Sequence, residues 1–135
     1  MEIQSLDISH AMQLAVLDQK LMFEEGNETD KSLVQLDIRM KSWLSEEYQA
    51  IGVLDSGLVT AFCLFKPLED AMFIAKLYVI EGERRKGIAT RLIGDVKGIA
   101  PLKPIRLHVA PKNKAAKKFY KSIGFHEVYR TFELG

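Results

Sequence analysis

Over the first third of the chain, apolar positions recur every three or four residues. In "SHAMQLAVLDQKLMFEEGN", Met12, Ala15, Val16, Met22 and Phe23 fall at roughly helical spacing, with Ser9 placed as an N-cap and Gly26-Asn27 as a stop. A second helix is predicted from about Asp30 to Ser45, with Leu33, Leu36, Met40, Trp43 and Leu44 on one face. A short strand, "MEIQSL", precedes both. Beyond Tyr48 the period changes to that of strands. "YQAIGVLDSGLVTAFCLFKP" is two apolar runs joined at Asp55-Ser56-Gly57 and ended by Pro67, which reads as a hairpin. "AMFIAKLYVI" is apolar at nearly every position except Lys76, which suits a central strand covered on both faces.

Element types then alternate. A helix is predicted from Gly87 to about Ile99, with Ile88, Leu92, Ile93 and Val96 inward. "KPIRLHVA" reads as a strand, "NKAAKKFYKSIGF" as a helix ended at Gly124, and "HEVYRTFEL" as a last strand. No internal repeat or linker interrupts them. The order is β-α-α-β-β-β-α-β-α-β, which predicts one α/β domain with a mixed sheet over residues 1–135.

A chain of 135 residues with 47% hydrophobic residues can bury a real core. No run approaches the roughly eighteen apolar residues of a membrane span, and the first residues lack a signal-peptide pattern. Cys63 is the sole cysteine, so a disulfide framework is excluded and a reducing cytoplasm is the expected location. His10, His108 and His126 lie far apart without metal-ligand spacing, so no metal site is expected. The net charge of +1 hides an asymmetry. Residues 1–70 hold thirteen acids against five bases, a balance of −8, and residues 71–135 hold fourteen bases against five acids, a balance of +9. Solvated helix faces would account for such runs. So would a polyanion held by the second half and a cationic partner met by the first.

The stretch "ERRKGIATRL" sharpens that choice. Arg84, Arg85 and Lys86 stand where a helix begins, the end whose dipole already favours anions over cations. A strand, a tight basic turn and a helix start together form a phosphate-binding arrangement, with free backbone N–H groups at the helix start. Gly87 lets the backbone approach a phosphate, small Ala89 keeps the approach open, and the cations add charge-assisted hydrogen bonds. Neither G-x-x-x-x-G-K-[ST] nor G-x-G-x-x-G is present.

A second motif follows the next strand: Asn113, Ala116, Phe119-Tyr120 and Gly124-Phe125. Together with Arg84-x-x-Gly87-x-Ala89, it closely resembles the GNAT family, the Gcn5-related N-acetyltransferases. By motif the resemblance covers about residues 71–126, and by element order residues 1–66. It implies that acetyl-CoA is bound and its acetyl group passed directly to an amine. Arg84, Arg85, Lys86, Gly87, Ile88 and Ala89 match the pyrophosphate-binding turn, and Thr90 follows in the first helical turn. Leu77, Tyr78 and Val79 match the strand segment that pairs with the pantetheine arm, and the Val79 N–H matches the group that polarises the thioester carbonyl. Asn113 matches an asparagine on the pantetheine side, and Ala116 and Phe119 match helix positions along the cofactor. Tyr120 matches the tyrosine that protonates the departing sulfur. The sequence departs from the family pattern at Glu81, often proline, and at Arg85, often glycine. It also departs after Phe125, where ten residues stand in place of two strands.

The resemblance dictates no general base. Glu24 and Glu25 at the end of the first helix, Glu81 at the strand end and His108 on the following strand are candidates to contact or deprotonate the acceptor. Each also reads as a solvated or structural residue, the commoner role for such positions. Lys112, Lys114, Lys117, Lys118 and Lys121 suit a solvated face or the 3′-phosphate of CoA. They would also suit nucleic acid, but the acidic first half opposes that reading. Two functions follow from the resemblance. One is N-acetyl transfer to a primary amine of a small molecule or peptide, a cationic one by the charge of the first half. The other is a non-catalytic acyl-CoA-binding sensor or interaction module. A homodimer is compatible with the short segment after Phe125.

Overall fold

Strand β3 (Leu58–Pro67) lies at the centre of a five-stranded sheet, and its side chains serve two cores. The structure is a computed structural model that describes residues 1–26 and 29–135. The strands run in sequence order across the sheet: β1 (Ile3–Leu6), β2 (Gln49–Asp55), β3, β4 (Met72–Val79) and β5 (Ile105–Leu107). Neighbours pair antiparallel except β4 and β5, which are parallel. Ala61, Cys63 and Phe65 of β3 face helix α3 (Ile88–Ile99), which buries Ile88, Leu92, Ile93 and Val96 as its spacing predicts. Phe62 and Leu64 face the other way, onto α1 (Ala11–Glu24) and α2 (Leu33–Glu46). Each large apolar side chain among these contributes about 1.5–3 kcal/mol by burial. Helix α4 (Lys114–Ser122) rests against the α3 side through Phe119 and Tyr120 but buries no residue fully.

A bulge in β4 decides what faces the two cores. Phe65 pairs with Ile74 but Leu64 with Lys76, so β4 carries one extra residue, Ala75, between them. Simple alternation would put Ile74, Lys76 and Tyr78 on one face. The bulge instead leaves Met72, Ile74, Leu77 and Val79 on the α3 side and turns Tyr78 to the α1–α2 side. Lys76 goes with Tyr78, its Nζ 3.0 Å from Asp18 of α1.

Three expectations are corrected. Ser9 does not cap α1: Asp7 caps a single 3-10 turn (Ile8–His10), accepting the Ser9 N–H at 2.9 Å, and α1 begins at Ala11. A carboxylate two residues upstream is the stronger acceptor. The second helix starts at Leu33, not Asp30, because Ser32 and Gln35 form a capping box, with Ser32 N–H donating to Gln35 at 2.8 Å. The stop at Gly26-Asn27 is met by Gly26, at φ 74°, while Asn27 lies outside the described residues.

The third correction is larger. The segment "HEVYRTFEL" forms no strand, and "KPIRLHVA" is a strand only over Ile105–Leu107. Pro104 and Pro111 lack N–H donors and bracket β5, so its ladder is short. Residues 126–134 find no ladder partner and remain exposed. The order observed is therefore β-α-α-β-β-β-α-β-α.

Candidate functional site

The site begins where β4 loses its neighbour. β5 pairs only with Met72–Ile74, so the rest of β4 is uncovered on that side. Ile80 N–H donates to the Thr60 carbonyl of the β3 strand line at 2.9 Å. In an antiparallel pair, residues bonded to the partner strand alternate with residues whose N–H and C=O point away. Leu77 and Val79 are thus the residues of β4 that direct N–H and C=O outward, into the gap left by β5. The Val79 carbonyl is taken by Arg84, whose Nε donates to it at 2.8 Å. The Val79 and Leu77 N–H groups remain directed at the gap, the arrangement expected of a strand segment that pairs with an extended ligand.

Helix α3 opens next to this edge. Its N-cap is Gly87 at φ 76°, and no side chain caps it. The first intrahelical bond is Arg91 N–H to Gly87 C=O at 3.1 Å, so the N–H groups of Ile88, Ala89 and Thr90 have no partner within the helix. The space where a side chain on residue 87 would project holds no atom within 4 Å. Open amides, a helix dipole and room for an anion therefore coincide, and the chain fits a pyrophosphate here. The Ile88 side chain is buried, so only its backbone is offered to a ligand.

The three cations of the turn are not equivalent. Lys86 pairs with Glu83 at 2.9 Å. Arg84 turns away from α3: its Nη2 lies 2.7 Å from Glu24 of α1, and its guanidinium rests 5.3 Å from the centre of the Tyr78 ring. The Tyr78 hydroxyl donates to the second oxygen of the same carboxylate. Burial works to raise the Glu24 carboxyl, but the Tyr78 and Arg84 hydrogen bonds and the Arg84 charge outweigh it and hold it below the usual glutamate range. Burial, then the bond to Glu24, pushes the Tyr78 phenol up to about 12. Among the described residues Arg85 has no ion-pair partner. Its φ of 66° is left-handed, a conformation that explains why glycine suits this position.

Tyr120 packs against the α3-side core that also holds Val79, with its ring 5.2 Å from Phe119 and 5.4 Å from Phe125, both edge-on. Burial, then the neighbouring Cys63 and the charge of Glu25, pushes its hydroxyl up to about 12. It is therefore a proton donor at neutral pH. Cys63, buried in β3, is likewise pushed up to about 12 by burial, and this suits packing, not nucleophilic chemistry. Asn113 caps α4, its Oδ1 accepting the Ala116 N–H at 3.1 Å, which leaves the side-chain NH2 to donate elsewhere. Ala116 and Phe119 are half-buried on the same side.

The four acceptor-side candidates separate. Glu24 is committed to Arg84 and Tyr78. Glu25 is not. Burial, opposed by Lys76 and aided by Asp18, raises its carboxyl above the usual range. Glu81 lines a groove of about 730 Å³ with Phe23, Glu24, Thr29 and Arg84. His108 follows β5, whose Leu107 lies beside Ile74 of β4, and its ring is 5.1 Å from Phe73 near the start of that strand, away from the uncovered end at Val79.

Sequence reasoning missed the ties that hold this geometry. Asp18, 1% exposed, joins Lys76 of β4 at 3.0 Å and Arg39 of α2 at 2.8 Å. A polar position on the inner face of an otherwise apolar helix was the available signal. Asp18–Lys76, Glu24–Arg84 and Asp70–Arg106 each pair an acid of the first half with a base of the second, so part of the charge asymmetry is neutralised inside the fold.

Comparison with known proteins identifies the fold and the family. No curated protein matches the chain. Among solved structures, a possible acetyltransferase from Clostridium difficile 630 superposes with a TM-score of 0.83 at 23% identity, over 99% of this chain and 96% of that one. An integron cassette protein from the mobile metagenome of V. cholerae gives 0.79 at 24% identity, over 98% and 91%. The aminoglycoside N-acetyltransferase AAC(6')-Iy, solved with CoA, gives 0.81 at 15% identity, over 99% and 93%. These likenesses establish the fold. The sequence profile of the Acetyltransferase (GNAT) family matches residues 13–125. By that match, which spans most of the chain and both motifs, the protein belongs to the GNAT family of acetyltransferases.

Proposed function

We propose that the protein transfers the acetyl group of acetyl-CoA directly to a primary amine of a small molecule or peptide. The observation that carries this reading is the outward-directed edge at Leu77 and Val79, which opens beside the uncapped start of α3. In this reading the N–H groups of Ile88, Ala89 and Thr90 hold the pyrophosphate, with Arg85 adding charge. Leu77 and Val79 align the pantetheine arm, and Asn113, Ala116 and Phe119 border it.

Glu25 is the base this reading assigns. It is free of the Arg84 tie, its carboxyl is raised, and its charge is felt at Tyr120. Glu25 takes a proton from the ammonium, directly or through water, and the neutral nitrogen attacks the thioester carbonyl carbon. The Val79 N–H donates to the oxygen that gains negative charge, a contribution of about 3–4 kcal/mol in comparable sites. As the C–S bond breaks, the Tyr120 hydroxyl donates its proton to the sulfur. As the amide forms, the attacking nitrogen sheds its second proton through water to the resulting phenolate, and Glu25 returns its own proton to solvent. The acidic balance of residues 1–70, −8, only part of which is met by bases of the second half inside the fold, supports a cationic amine. Its class is a polyamine, an aminoglycoside-like amine or a peptide amine.

Thiol release from acetyl-CoA across a panel of polyamines, aminoglycosides, amino acids and peptides tests the reading. Turnover is expected on cationic amines. Preference for neutral or acidic amino acids at low ionic strength would remove the charge argument. Tight CoA binding with no transfer to any acceptor would favour a non-catalytic acyl-CoA-binding module.

A further inference from the structure

Beyond Ile74, β4 has a ladder partner on one side only, β3. Hydrogen bonds on one side leave a peptide plane freer to tilt than bonds on both. Yet acetyl transfer asks one group there, the Val79 N–H, to be aimed at a developing charge. A misplacement on the order of 1 Å can cost about a hundredfold in rate. The sheet alone does not supply that aim.

Side chains supply the constraint that the sheet lacks. Ile80 N–H bonds to the Thr60 carbonyl at 2.9 Å, so Tyr78, two residues back and opposite Phe62, is the neighbouring residue bonded to β3. The peptide between Tyr78 and Val79 carries the Val79 N–H. The Tyr78 ring is buried on the α1–α2 side, and its hydroxyl donates to one oxygen of Glu24. The next peptide, between Val79 and Ile80, carries the Val79 carbonyl, which accepts from Arg84 Nε at 2.8 Å. Arg84 Nη2 donates to the other oxygen of Glu24 at 2.7 Å, and the guanidinium rests 5.3 Å from the centre of the Tyr78 ring. Both peptides that meet at Val79 are thus tied to one carboxylate, on the last residue of α1.

We propose that Glu24 is a positioning residue for the Val79 N–H: its two oxygens hold Tyr78 and Arg84, and through them the two peptide planes that flank Val79. It acts without touching acetyl-CoA or the acceptor. What the aimed N–H accomplishes rests on the acetyl-transfer reading, whereas the tie itself does not. Glu25 follows Glu24 directly, so the same tie fixes the end of α1 on which the assigned base stands.

Glu24→Ala is expected to lower kcat about 10–100-fold, with KM for either substrate and CoA affinity within about twofold. Glu24→Gln, which still offers Arg84 an oxygen, should recover most of that loss. Tyr78→Phe removes only the hydroxyl and should lose less than Glu24→Ala. These two variants keep one arm of the tie, so the test does not depend on how well Glu24→Ala folds. Combined with Arg84→Ala, Glu24→Ala should cost much less than the product of the two single losses, because one acts through the other. In the ligand-free protein the Val79 amide resonance should move in Glu24→Ala and stay in Glu46→Gln, at an exposed acid ending α2. A loss that falls on the acceptor KM would put Glu24 against the acceptor and overturn the proposal. So would an unmoved Val79 amide, or losses that multiply in the double variant. A wild type that acetylates no amine, with the Val79 amide still displaced in Glu24→Ala, would remove the acetyl-transfer reading and uphold the tie.

Discussion

Arg84 and Glu24 are joined side chain to side chain, Nη2 to Oε1 at 2.7 Å, across the end of β4 and the end of α1. The same guanidinium holds the Val79 carbonyl at 2.8 Å. Arg84 thus positions the residue whose N–H faces the gap, and it is not among the groups around the α3 start. Replacing Arg84 by Ala should lower kcat on the order of 10–100-fold through misplacement of Val79. Affinity for CoA and its salt dependence should change little. If Arg84 instead contacted phosphate, the loss would fall on CoA affinity and shrink with added salt.

Arg85 presents the reverse case. Its left-handed backbone costs an L-residue about 1–2 kcal/mol. Arg85→Gly should therefore raise the denaturation midpoint by an amount equivalent to about 1 kcal/mol, while CoA binding weakens through the lost charge. Chemical denaturation and CoA titration on the same variant separate the two effects. A destabilised variant would contradict the backbone argument.

The Asp18 carboxylate links α1 to Arg39 of α2 and Lys76 of β4. Asp18→Ala removes the shared acid and leaves two cations without it, a change expected to cost about 3–5 kcal/mol. Urea unfolding measures this directly. A loss within the range of ordinary surface substitutions, about 0.5 kcal/mol, would mean that the two cations reach solvent easily.

Glu25 gives a pH signature. Its folded carboxyl is raised above the unfolded value of 4.5, so the native state holds the proton more tightly. The stability this provides is full below 4.5 and lost as pH rises through the folded value. Glu25→Gln should therefore raise the melting temperature at pH 7 but not at pH 4. In the wild type, kcat/KM should climb with pH through a midpoint above the usual glutamate range. Tyr120, at about 12, adds no falling limb below about pH 10. Glu25→Gln should remove the rising limb and cost about 10²–10⁴ in rate. An unchanged profile would assign the base elsewhere, Glu81 being the nearest alternative in the groove.

Much of this was legible in the sequence because it rests on local chemistry. Ile88, Leu92, Ile93 and Val96 announce the buried face of α3 by spacing, and Gly87 announces the turn before it. The role of Arg84 was not legible. Its position in the basic turn suggested a phosphate, but the acid that claims it lies sixty residues upstream on another helix. The bulge at Ala75 was hidden for a related reason: β4 is apolar on both faces, so a register slip leaves no mark in its pattern. "HEVYRTFEL" misled in the opposite direction. Alternation shows that a segment can form a strand, and only a partner edge makes it one.

The central claim is that acyl-CoA lies along the open edge of β4 and against the start of α3. Backbone amide resonances recorded while CoA is titrated into the protein test it most directly. Saturable shifts are expected at Leu77, Val79 and Gly87 through Thr90, with smaller ones at Asn113. Shifts confined to the lysines of α4, or spread over the surface and abolished by moderate salt, would contradict it.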